Sequence, residues 1–399
     1  INMLKNENII CVSTMNWDFL WTRKQRFMNM LSKEGNKVLY VEPPFYTKEK
    51  SLKSKMGDFA REARKGFFSR LTKVNDNLYV LYPSILIPAG KHPFILALNQ
   101  FILRGKIKNA QRKLNMKNSI LWIYDPFRYG LAGTLSEKMS IYDCVDEHSE
   151  YPGVNKKLTL KVERELISRV DLFIVTAKGL YESKKSLNKN IHVISNGVDY
   201  ALFSKAQDDT TKIPEDITNL PKPVIGFTGG ISDWIDLDLI YYIAKENPAW
   251  SIVMVGPVDK RAEKKVEEFK DMPNVYFLGR KKLEELPNYM KGFDVCLNPF
   301  RVNALTAMVS PLKVFEYLAS GRPIVSTDMP EVRPFAEVVK IAHGKEEFLA
   351  CIKKVLSGEP EDAKSKCLEI AKEYSWEKLL DNFVGYIEET LRNNGKKTI

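Results

Sequence analysis

Cysteine is scarce and scattered in this chain. Cys11, Cys144, Cys296, Cys351 and Cys367 are odd in number and lack C-x-x-C spacing. That argues against a disulfide framework or a cysteine zinc site and favours a reducing compartment. Cys11, Cys144 and Cys296 stand in apolar runs and read as small core residues. Long apolar runs are missing too. Nothing approaches the roughly 18 uninterrupted apolar residues of a membrane-spanning helix, so none is expected. The first residues are polar and charged with no apolar region behind them, so no signal peptide is expected and the reading is cytoplasmic. No internal repeat stands out, and no RRM-like, zinc-finger or helix-turn-helix signature occurs, so nucleic acid is not an expected partner.

What is present fits an ordered globular protein. The chain has 399 residues, 44% apolar and 28% charged. Such a length suggests two domains of roughly 150–200 residues. The formal charge is +11 and the pI about 9.1, which draws polyanions: anionic lipid, nucleic acid or phosphate-bearing substrates.

Short apolar runs alternate with amphipathic stretches, the pattern of βαβ units and parallel sheets. Strands are expected at 8–12, 38–41, 120–124, 139–143, 172–175 and 191–195, with helices at 27–32 and 156–169. Residues 207–223 are polar and proline-bearing, which is linker chemistry. The pattern restarts with strands at 224–228, 251–256, 275–278, 295–298 and 324–326, and a helix at 238–245. Ser375 is a plausible N-cap for a long helix over 376–392. The expected fold is α/β, two doubly wound Rossmann-like domains facing an interdomain cleft. Ligands of such sheets sit at the carboxyl ends of the strands. The expected division is a first domain over 1–203, a linker over 204–222, a second domain over 223–375, and a C-terminal helix over 376–399 that packs back on the first domain.

The most informative segment is 298–328, NPFRVNALTAMVSPLKVFEYLASGRPIVSTD. Ser310 and Pro311 can serve as N-cap and first residue of a helix that stops at Gly321. Its N-terminus can hold a diphosphate. Lys313, in the first turn, would add a point charge to phosphate oxygens. Glu316, one turn on, can accept hydrogen bonds from two ribose hydroxyls. An ordinary surface Lys–Glu pair is the plainer alternative.

The stretch SPLKVFEYLASGRPIVST closely resembles the donor-binding segment of family 4 and related glycosyltransferases, in which a Glu in an E-A-M-A-x-G-x-P-V-V context grips the nucleotide ribose. Glu316 matches that Glu. ISNGVD at 194–199 resembles the turn that leads into the family's linker. GFTGG at 226–230 resembles its glycine loop, with Gly229 and Gly230 at the donor, and 274–300 resembles the strand pair before the donor helix. The opening stretch with Trp17, Trp21, Arg23, Gln25 and Arg26, and YDCVDEHSEY, look like the subgroup that includes teichuronic-acid glycosyltransferases. The resemblance implies the GT-B fold, a donor-binding C-terminal domain and an acceptor-binding N-terminal one. It also departs from the pattern. Met308 stands where a second Glu is frequent, and ISDWID follows the glycine loop in place of the usual Arg and Lys. Lys313, with Arg280 or Arg301, would then serve the diphosphate. The turn after the first strand, Ser13 to Asn16, lacks the frequent Gly pair, and Arg23 and Arg26 either reach the cleft or cover the face of the following helix, the structural reading being favoured.

Residues 141–151, IYDCVDEHSEY, bring Asp143, Asp146, Glu147 and His148 to the end of a strand. Transfer with inversion needs a general base on the acceptor hydroxyl, whereas transfer with retention needs a polar group near the sugar and a stabilised leaving diphosphate, and the residues leave both open. Asp146 is the first candidate and His148 the second; a capping Asp143 in a solvated acidic loop is the plainer reading. Asp236-Leu237-Asp238 spells a metal-binding D-x-D but opens a helix, where the dipole favours Asp, so no essential metal or other cofactor is expected. Residues 47–73 carry nine basic against three acidic residues, interleaved with Phe59, Phe67 and Phe68. They suit the surface of an anionic membrane, and 94–108 would add an apolar-basic face. The expected activity is metal-independent transfer from a nucleotide-sugar, with UDP favoured, to a saccharide or lipid-linked acceptor in cell-surface polysaccharide synthesis. The alternatives are a sugar-nucleotide epimerase of the same fold and a non-catalytic membrane-associated binding protein.

Overall fold

A computed structural model of the chain describes residues 4–19, 21–44, 69–83, 93–151, 153–358, 360 and 362–396. They fall into two units, Ile1–Ile194 with Leu380–Ile399, and Ser195–Leu379. In the stretch 47–73, residues 47–68 lie outside the described residues, including Phe59, Phe67 and Phe68.

The first unit is built on eight strands: β1 (Asn8–Val12), β2 (Lys37–Val41), β3 (Arg70–Lys73), β4 (Leu78–Tyr82), β5 (Ile120–Ile123), β6 (Met139–Cys144), β7 (Leu172–Val175) and β8 (Ile191–Val193). Their order is β3-β4-β2-β1-β5-β6-β7-β8, and only the β3–β4 pair is antiparallel. The helices are α1 (Arg23–Lys33), α2 (Pro93–Lys113), α3 (Lys156–Arg169) and α4 (Lys178–Lys184). Ile9, Ile10, Cys11, Leu121 and Trp122 are wholly buried, as the strands of a sheet covered on both faces must be. The order reverses between β1 and β5, so the turns after these strands open the ligand-binding edge.

Arg23, on the first turn of α1, is 1% exposed. Its Nε donates to Asp143 Oδ2 at 2.9 Å and its Nη1 to the Ile194 carbonyl at 3.0 Å. Trp122 Nε1 donates to the same carboxylate oxygen at 3.3 Å. The guanidinium also lies over the rings of Phe27 and Phe383. Asp143 and Arg23 are therefore internal structural partners.

The second unit carries β9 (Val224–Thr228), β10 (Ser251–Val255), β11 (Val275–Phe277), β12 (Val295–Asn298), β13 (Ile324–Thr327) and β14 (Val339–Ala342) in the order β11-β10-β9-β12-β13-β14, all parallel. Its longer helices are α5 (Leu237–Glu246), α6 (Lys260–Val266), α7 (Leu286–Gly292), α8 (Leu312–Ser320), α9 (Lys345–Leu356) and α10 (Ala363–Glu373). Alternate residues of one strand enter opposite cores. Val253 and Val255 pack with Phe315 and Leu318 of α8, whereas Ile252 and Met254 pack with Ile240 and Ile243 of α5. The order reverses between β9 and β12, which places the ligand edge at the glycine loop and the segment leading to α8.

The division differs from the sequence reading. The first stretch of the first unit ends at Ile194, and residues 204–222 belong to the second unit. They include a helical turn at Glu215–Thr218, and Ala206 and Ile217, with Phe203 just before them, are buried in the core of the second unit. A few apolar anchors among polar residues hold this segment down, a pattern that average composition hides. The last helix, α11 (Trp376–Lys396), begins in the second unit and continues from Leu380 in the first. There Phe383 packs on Trp122, with ring centroids 4.1 Å apart.

Candidate functional site

In the second unit the candidate groups gather where β9 and β12 end. Gly229 and Gly256 follow neighbouring strands, with φ of +149° and +154°. A Cβ on Gly256 would lie 1.7 Å from the Gly229 carbonyl oxygen, so the two turns touch backbone to backbone. A Cβ on Gly229 would lie 3.2 Å from Lys313 Cε, whereas one on Gly230 would meet no atom of the described residues within 4 Å. The glycine loop is thus pressed against Lys313 on one side and open on the other.

Helix α8 starts one residue later than the sequence suggests. Pro311 is its N-cap, with extended backbone angles and no side-chain cap. Ser310 does other work. Its Oγ accepts the Asn196 N–H at 3.2 Å, and its carbonyl accepts Asn196 Nδ2 at 3.0 Å. The N-G-V-D turn thereby fixes the segment entering the helix and leaves first-turn amides without a side-chain cap, as suits an anion. Lys313 Nζ and Glu316 Oε2 are 2.7 Å apart, with side chains 21% and 9% exposed. A nearly buried carboxylate held by one lysine differs from the exposed pair of the plainer reading.

The remaining candidates separate. Arg280 is exposed on the turn after β11, two strands from β9 on the same edge. Arg301 is committed elsewhere, with Nη2 2.8 Å from Asp238 Oδ2. Asp236 caps α5, accepting the Leu239 N–H at 3.1 Å, and Asp238 is also held by Lys265 at 2.6 Å. Asp236 serves the helix start, and Asp238 is engaged by Arg301 and Lys265.

In the first unit the acidic segment follows β6. Asp146 is half-buried and accepts the Tyr151 hydroxyl at 2.6 Å. His148 is 8% exposed, meets the Tyr151 ring edge-on at 5.7 Å, and its Nε2 has no hydrogen-bond partner among the described residues. Tyr151 therefore brings the two candidates together. Burial pushes the Tyr151 hydroxyl upward in pKa, reinforced by Asp146. Glu147 turns inward: Lys184 Nζ lies 2.9 Å from its carboxylate and 2.7 Å from that of Glu163. Burial raises the Glu147 pKa, but Lys184 and Ser149 outweigh it and leave the carboxyl below its ordinary range. This buried triad fastens the loop that presents Asp146 and His148.

Two further groups stand on the same edge. Lys24 is 6% exposed, its Nζ 5.2 Å from the Tyr124 ring centroid. Burial lowers its pKa, opposed by Asp146 and Asp143. Glu42, directly after β2, is 5% exposed and accepts the Trp17 N–H at 2.6 Å. Burial pushes its carboxyl up to about 7, Trp17 opposes this and Asp18 adds to it. Neither belongs to a motif; the one signal for Glu42 is a carboxylate directly after an apolar strand. A large open depression of about 820 Å³ in the second unit, lined by Asp236, Tyr242, Phe300 and His343, includes neither Lys313 nor Glu316.

The chain is similar to several known proteins. Residues 222–368 match the family model described as glycosyl transferases group 1. TuaH of Bacillus subtilis strain 168, a candidate teichuronic acid biosynthesis glycosyltransferase, is 28% identical over 290 residues, covering 68% of this chain and 72% of that one. Among solved structures, sucrose-phosphate synthase of Thermosynechococcus elongatus is similar with a TM-score of 0.70 at 14% identity, covering 97% of this chain and 99% of that one. HepE of Anabaena in complex with UDP gives 0.64 at 12% identity, covering 96% and 100%. Residues 222–368 are thus a group 1 glycosyltransferase domain, carried by a chain of the GT-B fold.

Proposed function

We infer that this glycosyltransferase moves a sugar from a nucleotide-sugar, with UDP as the nucleotide, to a saccharide or lipid-linked acceptor of cell-surface polysaccharide. The observation that carries the donor reading is Lys313 on the first turn of α8, against the glycine loop and 2.7 Å from the nearly buried Glu316. Glu316 accepts the ribose hydroxyls. Lys313 and the first-turn amides of α8 stabilise the departing diphosphate, where negative charge grows as the bond from the anomeric carbon to oxygen breaks. Arg280 stands on the same sheet edge and adds charge for the phosphates.

The first unit supplies the acceptor side. Asp146 takes the proton of the attacking hydroxyl, and His148 is the second group able to do so. The relatives by sequence and family are transferases, which favours transfer over the epimerase and binding-protein alternatives. No metal is required in this scheme, because the D-x-D carboxylates are engaged by the helix start and by Arg301 and Lys265. Work on a lipid-linked acceptor places the protein at the inner face of a membrane.

The test is a thermal-shift panel of UDP-, GDP-, ADP- and CMP-sugars in EDTA. A ligand at about 100 times its Kd stabilises a fold by about 2.7 kcal/mol. A selective shift with UDP-sugars supports the reading. A shift that appears only after a divalent cation is restored would refute metal independence, and none with any nucleotide would refute the donor site.

A further inference from the structure

Helix α2 has one face in the first unit and one outside it. Leu96, Asn99, Leu103, Ile107, Ala110 and Gln111 are buried, at the spacing of a single stripe. The opposite stripe starts with two exposed aromatic rings, Phe94 at 77% exposure and Phe101 at 63%. They are the most exposed aromatics among the described residues and stand two turns apart on one face. The Arg104 guanidinium covers the Phe101 ring at 5.2 Å. Further along the same side come Lys108 and the exposed Arg112. Across its 21 residues the helix has five basic side chains and no acidic one.

We propose that this outward face docks on an anionic lipid bilayer, with Phe94 and Phe101 entering the headgroup boundary and Arg104, Lys108 and Arg112 facing lipid phosphates. The proposal rests on the membrane apposition of the preceding reading and gives it a place in the fold. Charge selects the occupant. A cationic helix on a chain of net charge +11 repels a second copy of itself and attracts an anionic surface. The apolar end followed by a basic end is the arrangement of helices that lie in the interface plane. The exposed rings contribute the apolar area and the cations the electrostatic part, which salt weakens.

The experiment is co-sedimentation of the full chain with phosphatidylcholine vesicles, with and without phosphatidylglycerol. The F94S/F101S variant should bind anionic vesicles at least about tenfold more weakly. R104Q/K108Q/R112Q should lose roughly fivefold per charge. Both should keep the wild-type UDP-induced thermal shift, which shows the fold is intact. A third variant, K48Q/K50Q/K53Q/K55Q, separates this face from the basic stretch 47–73. If only that variant loses vesicle binding, membrane apposition stands and the α2 face is overturned. If the wild type ignores anionic vesicles, both fail. If sedimentation velocity shows a wild-type dimer that F94S/F101S abolishes while vesicle binding persists, the face is a contact between copies and the lipid proposal is overturned.

Discussion

Replacing Glu316 by Ala removes a carboxylate that is 7% exposed and whose neighbour is Lys313 at 2.7 Å. If that carboxylate holds the ribose, the loss is at least one charge-assisted hydrogen bond, about 1.5–3 kcal/mol, or roughly 10–150-fold in UDP affinity. At a UDP concentration of about 100 times the wild-type Kd, a hundredfold weaker variant retains about 0.4 of the original 2.7 kcal/mol of stabilisation. For a unit of this size that is the difference between a melting shift of several degrees and one of about one degree. Titration calorimetry with uridine and with UDP then separates the two side chains. Glu316→Ala should weaken both ligands, because both carry the ribose. Lys313→Ala should weaken UDP and spare uridine, because only UDP carries phosphate. Equal UDP affinity in wild type and Glu316→Ala would refute the ribose assignment. Equal losses of uridine and UDP affinity in Lys313→Ala would refute the phosphate assignment.

Three further outcomes are expected. Asp146→Asn keeps an acceptor for the Tyr151 hydroxyl, so it should bind UDP normally while kcat falls about 10²–10⁴-fold in a transfer assay; an undiminished kcat removes Asp146 as the base. Gly256→Ala sets a Cβ 1.7 Å from the Gly229 carbonyl at a φ of +154°, so urea unfolding should show a loss of roughly 1–3 kcal/mol and UDP affinity should fall with it. Glu42 is protonated more readily folded, at about 7 against 4.5, so its contribution is full below about pH 4.5 and lost as pH rises through 7. That slope, roughly 3 kcal/mol in all, should flatten in Glu42→Gln, and an unchanged slope in urea titrations from pH 4.5 to 7.5 would assign it to other groups.

The central strands were legible because strands covered on both faces carry unbroken apolar runs. Asn8–Val12, Leu172–Val175, Val224–Thr228 and Val295–Asn298 lie where the sequence places them. The mixed strands Arg70–Lys73 and Val339–Ala342 escaped, since edge strands need only one apolar face and Lys340 interrupts the second. Helix α2 escaped for the opposite reason: with apolar residues on both faces its first half shows no clear period. At the site, Lys313 and Glu316 could be paired from an i, i+3 spacing on one helix. The partnership of Arg23 with Asp143 could not, because the two are 120 positions apart and meet only when α1 is laid on the sheet. The same holds for Lys184 with Glu147 and Glu163, whose buried charges are invisible until the fold brings them together.

Helix α11 has a consequence for the order in which the chain is made. The second unit is one continuous stretch, Ser195–Leu379, and has all its own residues once that stretch has left the ribosome. The first unit does not. Phe383 stands against Trp122 and Phe27, and Asn190 reaches Thr390, so its core waits for residues 380–396 to be synthesised. The half begun first is therefore the half completed last, and until residues 380–396 have emerged it holds an open apolar seam that a chaperone can recognise.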